Sequence, residues 1–328
     1  MTGTELRFDG RVALITGAGR GMGRAHALLL ADRGARIVVS DAGTELFGTG
    51  ADTKPAEETV AEIRRLGGDA VAYVEDLSTE VGARGAVRAT MDAFGRIDVL
   101  VHNAGFTLGG MAFEDETLER LDKLLAINTR AAYALVQEAW PVMQVQQHGR
   151  VVLAASTAIY GLARSIPYAT AKASYVGLTR GLAREGAPFG ITVNAIEPAG
   201  ATRMAENLAP SEFRTWFLET MRPELVSPVV AVLAHESCDI TGELLVVGGG
   251  RVARTVLAET RGYVNPCLTT EDVRDHLAAI LGETDYTYPI DAVDAGAIAA
   301  EALGFQLCEP VALSAAAAPS TGPEQETR

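Results

Sequence analysis

"TGAGRGMG", residues 16–23, follows the apolar run "RVALIT" (11–16) and precedes the helical pattern "AHALLLADR" (25–33). Gly17, Gly21 and Gly23 permit a tight turn and a close backbone approach. A helix opening there presents unpaired N–H groups and partial positive charge, a seat for a pyrophosphate. A glycine string alone is a weak signal. Between a strand and a helix near the start of a chain, it reads as a dinucleotide-binding turn.

Outward from that turn, short apolar runs alternate with longer helical stretches. After "RVALIT" come "ARIVVS" (35–40), "AVAYVE" (70–75), "IDVLVH" (97–102), "RVVLAAS" (150–156), "ITVNAI" (191–196) and "ELLVVG" (243–248). These runs are nearly continuously apolar, as strands buried on both faces are. Gly34 and Gly95 stand where two of the intervening helices should stop. The rhythm predicts an α/β fold: a Rossmann-like, doubly wound parallel sheet of about seven strands with helices on both faces. It assigns residues 1–250 to this domain and 251–313 to a partly helical extension, possible interface material for an oligomer. Residues 314–328, "SAAAAPSTGPEQETR", have the composition of a disordered tail.

Charge and composition exclude several functions. With 28 basic and 42 acidic residues, the net charge of −14 argues against nucleic acid as the main partner. No apolar run approaches the roughly 20 residues that span a bilayer, so no membrane partner is expected. Cys238, Cys267 and Cys308 are too scattered for a disulfide framework, and "MTGTELRFDG" lacks a secretory pattern. The expectation is a cytoplasmic protein. "HESC" (His235–Cys238) has no companion cluster, so no metal is expected.

Two positions carry candidate chemistry. Asp41 follows the second strand, where a carboxylate accepts both ribose hydroxyls of adenosine and repels a 2′-phosphate; otherwise it caps a turn. Arg20, within the glycine turn, would favour the phosphorylated cofactor, but Asp41 is the weightier, so NAD is expected over NADP. In "SIPYATAK" (165–172), Pro167 suits a helix start, and Tyr168 and Lys172 then share one face a turn apart. An ammonium there would lower the phenol's ordinary value of about 10 and suit it to proton transfer. Ser156 stands at the end of the preceding strand. Asn128 lies in a predicted long helix, reaching a backbone carbonyl or holding a water near Lys172.

Together these elements resemble the short-chain dehydrogenase/reductase family: "TGAGRGMG", "EDLS" (75–78), "HNAG" (102–105), Asn128, Ser156, "YATAK" (168–172) and "EPAGAT" (197–202) occur in its order across about residues 8–250. The resemblance implies Tyr168 as acid/base, with Ser156 and Asn128 assisting and Lys172 holding the nicotinamide ribose. It implies adenine contacts at Asp76 and Leu77, and a cofactor wall at Asn103, Ala104 and Gly105. Met22, Pro198, Gly200 and Thr202 complete that set, Thr202 at the carboxamide. Two features depart from the family pattern. His102 replaces the usual first Asn of "NNAG", with little effect expected. The serine precedes the tyrosine by one residue fewer than usual, which leaves Thr157 as the alternative to Ser156.

The long loop 41–55 and residues 222–260 resemble the (3R)-hydroxyacyl-CoA dehydrogenase domains of peroxisomal multifunctional enzymes, also described as type 4 17β-hydroxysteroid dehydrogenases. That implies an acyl-CoA thioester or a steroid as substrate and a homodimer or homotetramer. Residues 199–228, with Met204, Phe213, Trp216 and Phe217, are expected to form a substrate lid, or simply to pack as a helical hairpin. Arg203 is a candidate either for a CoA phosphate or for a surface salt bridge.

Overall fold

The computed structural model describes residues 5–202 and 210–304. The chain divides into two units after Thr255. In the first, the seven apolar runs become strands β1 (Val12–Thr16), β2 (Arg36–Ser40), β3 (Ala70–Tyr73), β4 (Val99–His102), β5 (Gly149–Ala154), β6 (Ile191–Pro198) and β7 (Leu244–Gly248). All seven are parallel, in the order β3-β2-β1-β4-β5-β6-β7.

An eighth strand, β8 (Arg251–Thr255), adds antiparallel to β7. The sequence pattern places those residues in the extension instead. The reason for the difference is the turn: Gly249 and Gly250 have φ of +55° and +81°, the two positive values a two-residue hairpin turn demands. The chain therefore reverses at once onto the sheet edge.

Successive strand residues point to opposite faces, which explains why the runs are apolar throughout. Ile15, Val39, Val101 and Ile196 pack on one face with Ala27 and Leu30 of helix α1 (Gly21–Asp32). Leu14, Val38, Leu100 and Leu153 pack on the other, against helices α3 (Glu80–Phe94), α5 (Ala131–Gln146) and α6 (Ile166–Gly186). Helix α2 (Lys54–Arg65) follows β2, and helix α4 (Leu118–Leu125) precedes α5. Where the pattern predicts one helix through Asn128, a five-residue π turn, Ala126–Arg130, separates α4 from α5.

Strand β1 lies between β2 and β4, so the chain leaves it toward one side of the sheet and β4 toward the other. A crevice forms outside the carboxyl ends of strands at such a switch point. The opposite ends are tied by Asp98, which is wholly buried. Its carboxylate accepts hydrogen bonds from Val12 N–H (3.0 Å), Arg11 Nη1 (3.0 Å), Arg96 Nε (2.7 Å) and Arg96 Nη2 (2.6 Å).

The second unit, by itself, pairs Glu259–Thr260 antiparallel with Tyr286–Thr287 and carries helices Thr270–Gly282 and Ala292–Ala302. Thr269 and Asp272 form a reciprocal capping box on the first helix, and Tyr263 stacks on His276 with ring centres 4.0 Å apart.

Burial pushes the Asp98 carboxyl up, but the bonds from Arg96, Val12 and Arg11 outweigh it and hold the group below its ordinary value of 3.8. A depressed carboxylate stabilises the fold above that value and loses its contribution as pH falls through the depressed one. Asp98→Ala should therefore cost about 3 kcal/mol at pH 7 by urea unfolding. The gap to the unsubstituted protein should narrow below pH 3.8; a gap constant with pH would contradict the ion-pair account.

Candidate active site

A cleft of about 380 Å³ opens at the carboxyl ends of the central strands. Its floor is the glycine turn. Gly17 has φ +64°, and an added Cβ would lie 2.9 Å from Ala104 Cα; at Gly23 it would lie 2.1 Å from the Gly17 carbonyl oxygen. Neither position has room for a side chain. No side chain caps α1 and no acid stands in its first turn, so its N–H groups can receive an anion. The segment after β6 lies against this turn. An added Cβ on Gly200 would lie 2.8 Å from the Met22 sulfur, and one on Gly21 would lie 3.2 Å from the Thr202 methyl. Met22, Pro198 and Thr202 also line the cleft.

Asp41, just past β2, reaches back to the turn: one carboxylate oxygen accepts from Gly19 N–H and the other from Gly43 N–H, both at 2.8 Å. Gly19 also lacks space for a Cβ, which would meet Pro55 Cβ at 2.7 Å and the Asp41 oxygen at 2.8 Å. Arg20, which lines the cleft too, lies 3.9 Å from Asp52. Asp76 and Leu77 form part of the wall; Asp76 accepts from the backbone N–H and hydroxyl of Ser78, each at 2.8 Å. A glycine-only floor, an open helix terminus and a carboxylate beside them suit a dinucleotide.

At the other end stand Ser156, Tyr168 and Lys172. Strand β5 ends at Ala154, and Ser156 instead caps a short turn, its Oγ accepting from Ala158 N–H at 3.1 Å. Of the two alternatives, Ser156 lines the cleft and Thr157 is exposed outside it. Tyr168 and Lys172 lie one turn apart on α6 behind Pro167. The Lys172 amine is buried; it donates to Ala154 C=O at 2.6 Å and lies 5.8 Å and 5.0 Å from the ring centres of Tyr168 and Tyr175.

Electrostatics here correct one expectation. Lys172 does not bring the Tyr168 phenol down. Burial pushes the phenol up, against a hydrogen bond from Ser156 that lowers it. The same burial pushes the Lys172 amine down to about 7, so it is only partly charged near neutral pH.

Asn128 sits in the π turn. Its Nδ2 donates to Leu124 C=O (3.0 Å) and Phe106 C=O (3.3 Å). Its Oδ1 is buried without a partner among the described residues. A Cβ placed on Gly105 would lie 2.4 Å from that oxygen and 3.4 Å from Lys172 Nζ. An orphan acceptor and an amine thus converge beside Gly105, a setting in which a water can bridge two polar groups.

The short chain dehydrogenase profile matches residues 11–212. The chain belongs to the short-chain dehydrogenase/reductase family. It is an oxidoreductase of the kind that acts on CH–OH groups with a nicotinamide cofactor. It is 39% identical over 291 residues to peroxisomal multifunctional enzyme type 2 of Mus musculus, covering 87% of this chain and 38% of that protein. The chain thus spans under half the length of that relative. It is 42% identical over 248 residues to a putative short-chain type dehydrogenase/reductase of Mycobacterium tuberculosis, covering 75% and 85% of the two chains. The solved full-length peroxisomal multifunctional enzyme type 2 of Drosophila melanogaster superposes with a TM-score of 0.75 at 29% identity, over 91% of this chain and 50% of that one.

Some parts of this dehydrogenase's cleft are not visible in its motifs. Glu45, Leu46 and Gly48 of the long loop and Lys123 of α4 line it. The Phe106 ring lies so close to Gly48 that an added Cβ would be 2.2 Å away, so the loop packs down beside the "HNAG" segment. Loop length is the one signal that points there. Phe213, Trp216 and Phe217 group together on helix Glu212–Thr220, with ring centres 5.7 and 5.9 Å apart, yet do not line the cleft. Arg203 and Met204 fall outside the described residues. In "HESC", His235 bonds Ser237 Oγ at 2.7 Å and Arg7 C=O at 3.1 Å, while Cys238 is part of the core.

Unfolding returns Lys172 to its ordinary value of 10.5, so between about pH 7 and 10.5 the unfolded chain binds more protons than the folded one. Stability should rise with pH through that window because of this residue. Without added dinucleotide, the unfolding free energy of the unsubstituted protein should gain on that of Lys172→Met as pH is raised. A difference that stays flat would show that the amine remains protonated in the fold.

Proposed function

We propose that the chain oxidises a secondary alcohol to a ketone with NAD, the alcohol being a (3R)-hydroxyacyl thioester of coenzyme A. The observation that supports this most is the placement of Ser156, Tyr168 and Lys172 at one end of a cleft whose other end holds Asp41. An oxidised nicotinamide, when bound, would supply the hydride acceptor and a positive charge. Tyr168 takes the hydroxyl proton, and Ser156 donates a hydrogen bond to the same oxygen. Lys172 holds the ribose. A water between Asn128 Oδ1 and Lys172 Nζ passes the proton toward solvent.

Asp41 supports NAD over NADP. Each of its oxygens keeps acceptor capacity beyond the bond to Gly19 or Gly43, and its charge opposes a 2′-phosphate. Arg20 leans toward Asp52. The acyl-CoA assignment draws on the loop at 41–55, on residues 222–260 and on the relatedness to multifunctional enzymes. The aromatic cluster of exposed Phe213 and Trp216 with half-buried Phe217 would suit a steroid as well as an acyl chain, which makes a hydroxysteroid the alternative. The described cysteines, Cys238 and Cys267, are free thiols, in keeping with the cytoplasm.

The test is NADH formation with both stereoisomers of a 3-hydroxyacyl-CoA, a hydroxysteroid and simple secondary alcohols, each with NAD and NADP. Fastest turnover is expected with the (3R) thioester and NAD; preference for the (3S) thioester or the steroid would overturn the substrate assignment. On the best substrate, Tyr168→Phe should lower kcat by roughly 10²–10⁴-fold. Near-normal turnover would remove Tyr168 from the acid/base role. Asp41→Ala should raise KM for NAD and lower it for NADP, and an unchanged ratio would show that Asp41 does not choose the cofactor.

A further inference from the structure

His102 ends β4 with no exposed surface, at the position where the family pattern has asparagine. The sequence suggests a neutral exchange; the structure shows the ring bridging two parts of the site. On one side is Thr16, the last residue of β1. Its Oγ1 accepts from Asn103 N–H at 3.1 Å and from Ala104 N–H at 3.0 Å, which uses both lone pairs. Its own proton is left for His102 Nδ1, 3.0 Å away. Nδ1 is then an acceptor, so the ring proton sits on Nε2. That nitrogen faces Ile127 C=O at 3.3 Å, inside the π turn and one residue before Asn128.

No cation is needed for this arrangement. Burial and then the Lys172 charge push the imidazole down to about 3, against the hydrogen bond to Ile127. The faces of the ring are also constrained: Tyr175 packs edge-on with centres 6.4 Å apart, and the same Tyr175 ring lies under the Lys172 amine. Asparagine ends at the level of Nδ1, so it can meet Thr16 but falls one atom short of the Ile127 carbonyl.

We propose that His102 is a positioning residue: its neutral imidazole ties Thr16, beneath the glycine turn, to the Ile127 carbonyl and so fixes the π turn that presents Asn128 to Lys172. The proposal rests on the proton path assigned above to Asn128 and Lys172. Loss of the tie should let Asn128 Oδ1 drift from the amine while the floor of the dinucleotide cleft stays in place. The consequence falls on proton transfer more than on cofactor binding.

Three variants and one spectrum test this. On the best alcohol substrate, His102→Ala and His102→Asn should each lower kcat about tenfold or more with KM for NAD changed less than threefold, and should shift the pH profile of kcat. His102→Gln, whose amide N–H lies at the level of Nε2 and can reach Ile127 C=O while giving up the bond to Thr16, should recover part of the loss. Wild-type kcat and pH profile in His102→Asn would overturn the proposal, as would a Gln variant no better than Ala. Should the variants not fold, ring-nitrogen NMR of the ¹⁵N-histidine-labelled wild-type chain decides. An Nε2–H tautomer that stays neutral at pH 5 is expected; an Nδ1–H tautomer or an imidazolium would refute it. If Lys172→Met and Tyr168→Phe leave turnover intact, the proton path itself fails, a result the tautomer does not affect.

Discussion

The close approach of Gly17 to Ala104 is the constraint on which the rest of the cleft depends. Strands β1 and β4 are neighbours in the sheet, and the segments leaving them part to opposite faces. For a ligand to lie across their ends, those segments must begin close together and stay low. Gly17 and Gly23 allow that by having no side chain where one would strike backbone. Thr16 completes the junction by accepting both N–H groups that open the segment after β4. A larger residue at 17 or 23 would lift the turn and fill the place where a pyrophosphate meets the helix terminus.

A second constraint is dielectric. Lys172 is taken out of water with one carbonyl and two aromatic faces as compensation, and the half-buried Tyr168 has the Ser156 hydroxyl beside it. Desolvation drives both toward their uncharged forms: the amine down, the phenol up. A pair arranged in this way has an amine that titrates around neutral pH beside a phenol that stays protonated. It responds strongly to any charge that enters the cleft, because there is little solvent to screen it. The helical spacing visible in "YATAK" conveys the partnership of the two residues, but not the burial that decides the sign of each shift.

Parts of the fold and site read directly from the chain were those set by local chemistry. Apolar runs gave the seven parallel strands because each is covered on both faces. Gly34 and Gly95 marked helix ends, where the structure gives φ of +99° and +72°. Other features depended on the third dimension. The eighth strand hinged on two positive φ values within a glycine triplet. The π turn at Ala126–Arg130 has no periodic signature, because one inserted residue is lost within the pattern of a long helix. Asp41 was conspicuous beside the second strand, but its bond to Gly19 joins residues 22 apart, and no local pattern reports that.

His102 illustrates why a departure from a motif is hard to weigh in one dimension. As a letter in "HNAG" it exchanges one polar residue for another next to an intact Asn103, whose amide still bonds the carbonyls of Thr16 and Gly17 at 3.3 Å. In space, the ring is longer than the amide it replaces and finds a second partner in the π turn. A buried polar group gains stability only when all its hydrogen-bonding atoms are met, and this ring meets both. The π turn in turn interrupts a helix at Asn128, whose side chain carries an unpartnered buried acceptor toward Lys172. Irregular backbone, an orphan oxygen and an unusual histidine thus concentrate at a single junction, where strand ends and helix bend must be held in register. That coincidence beside the cleft is the physical ground for reading the histidine as a positioning residue.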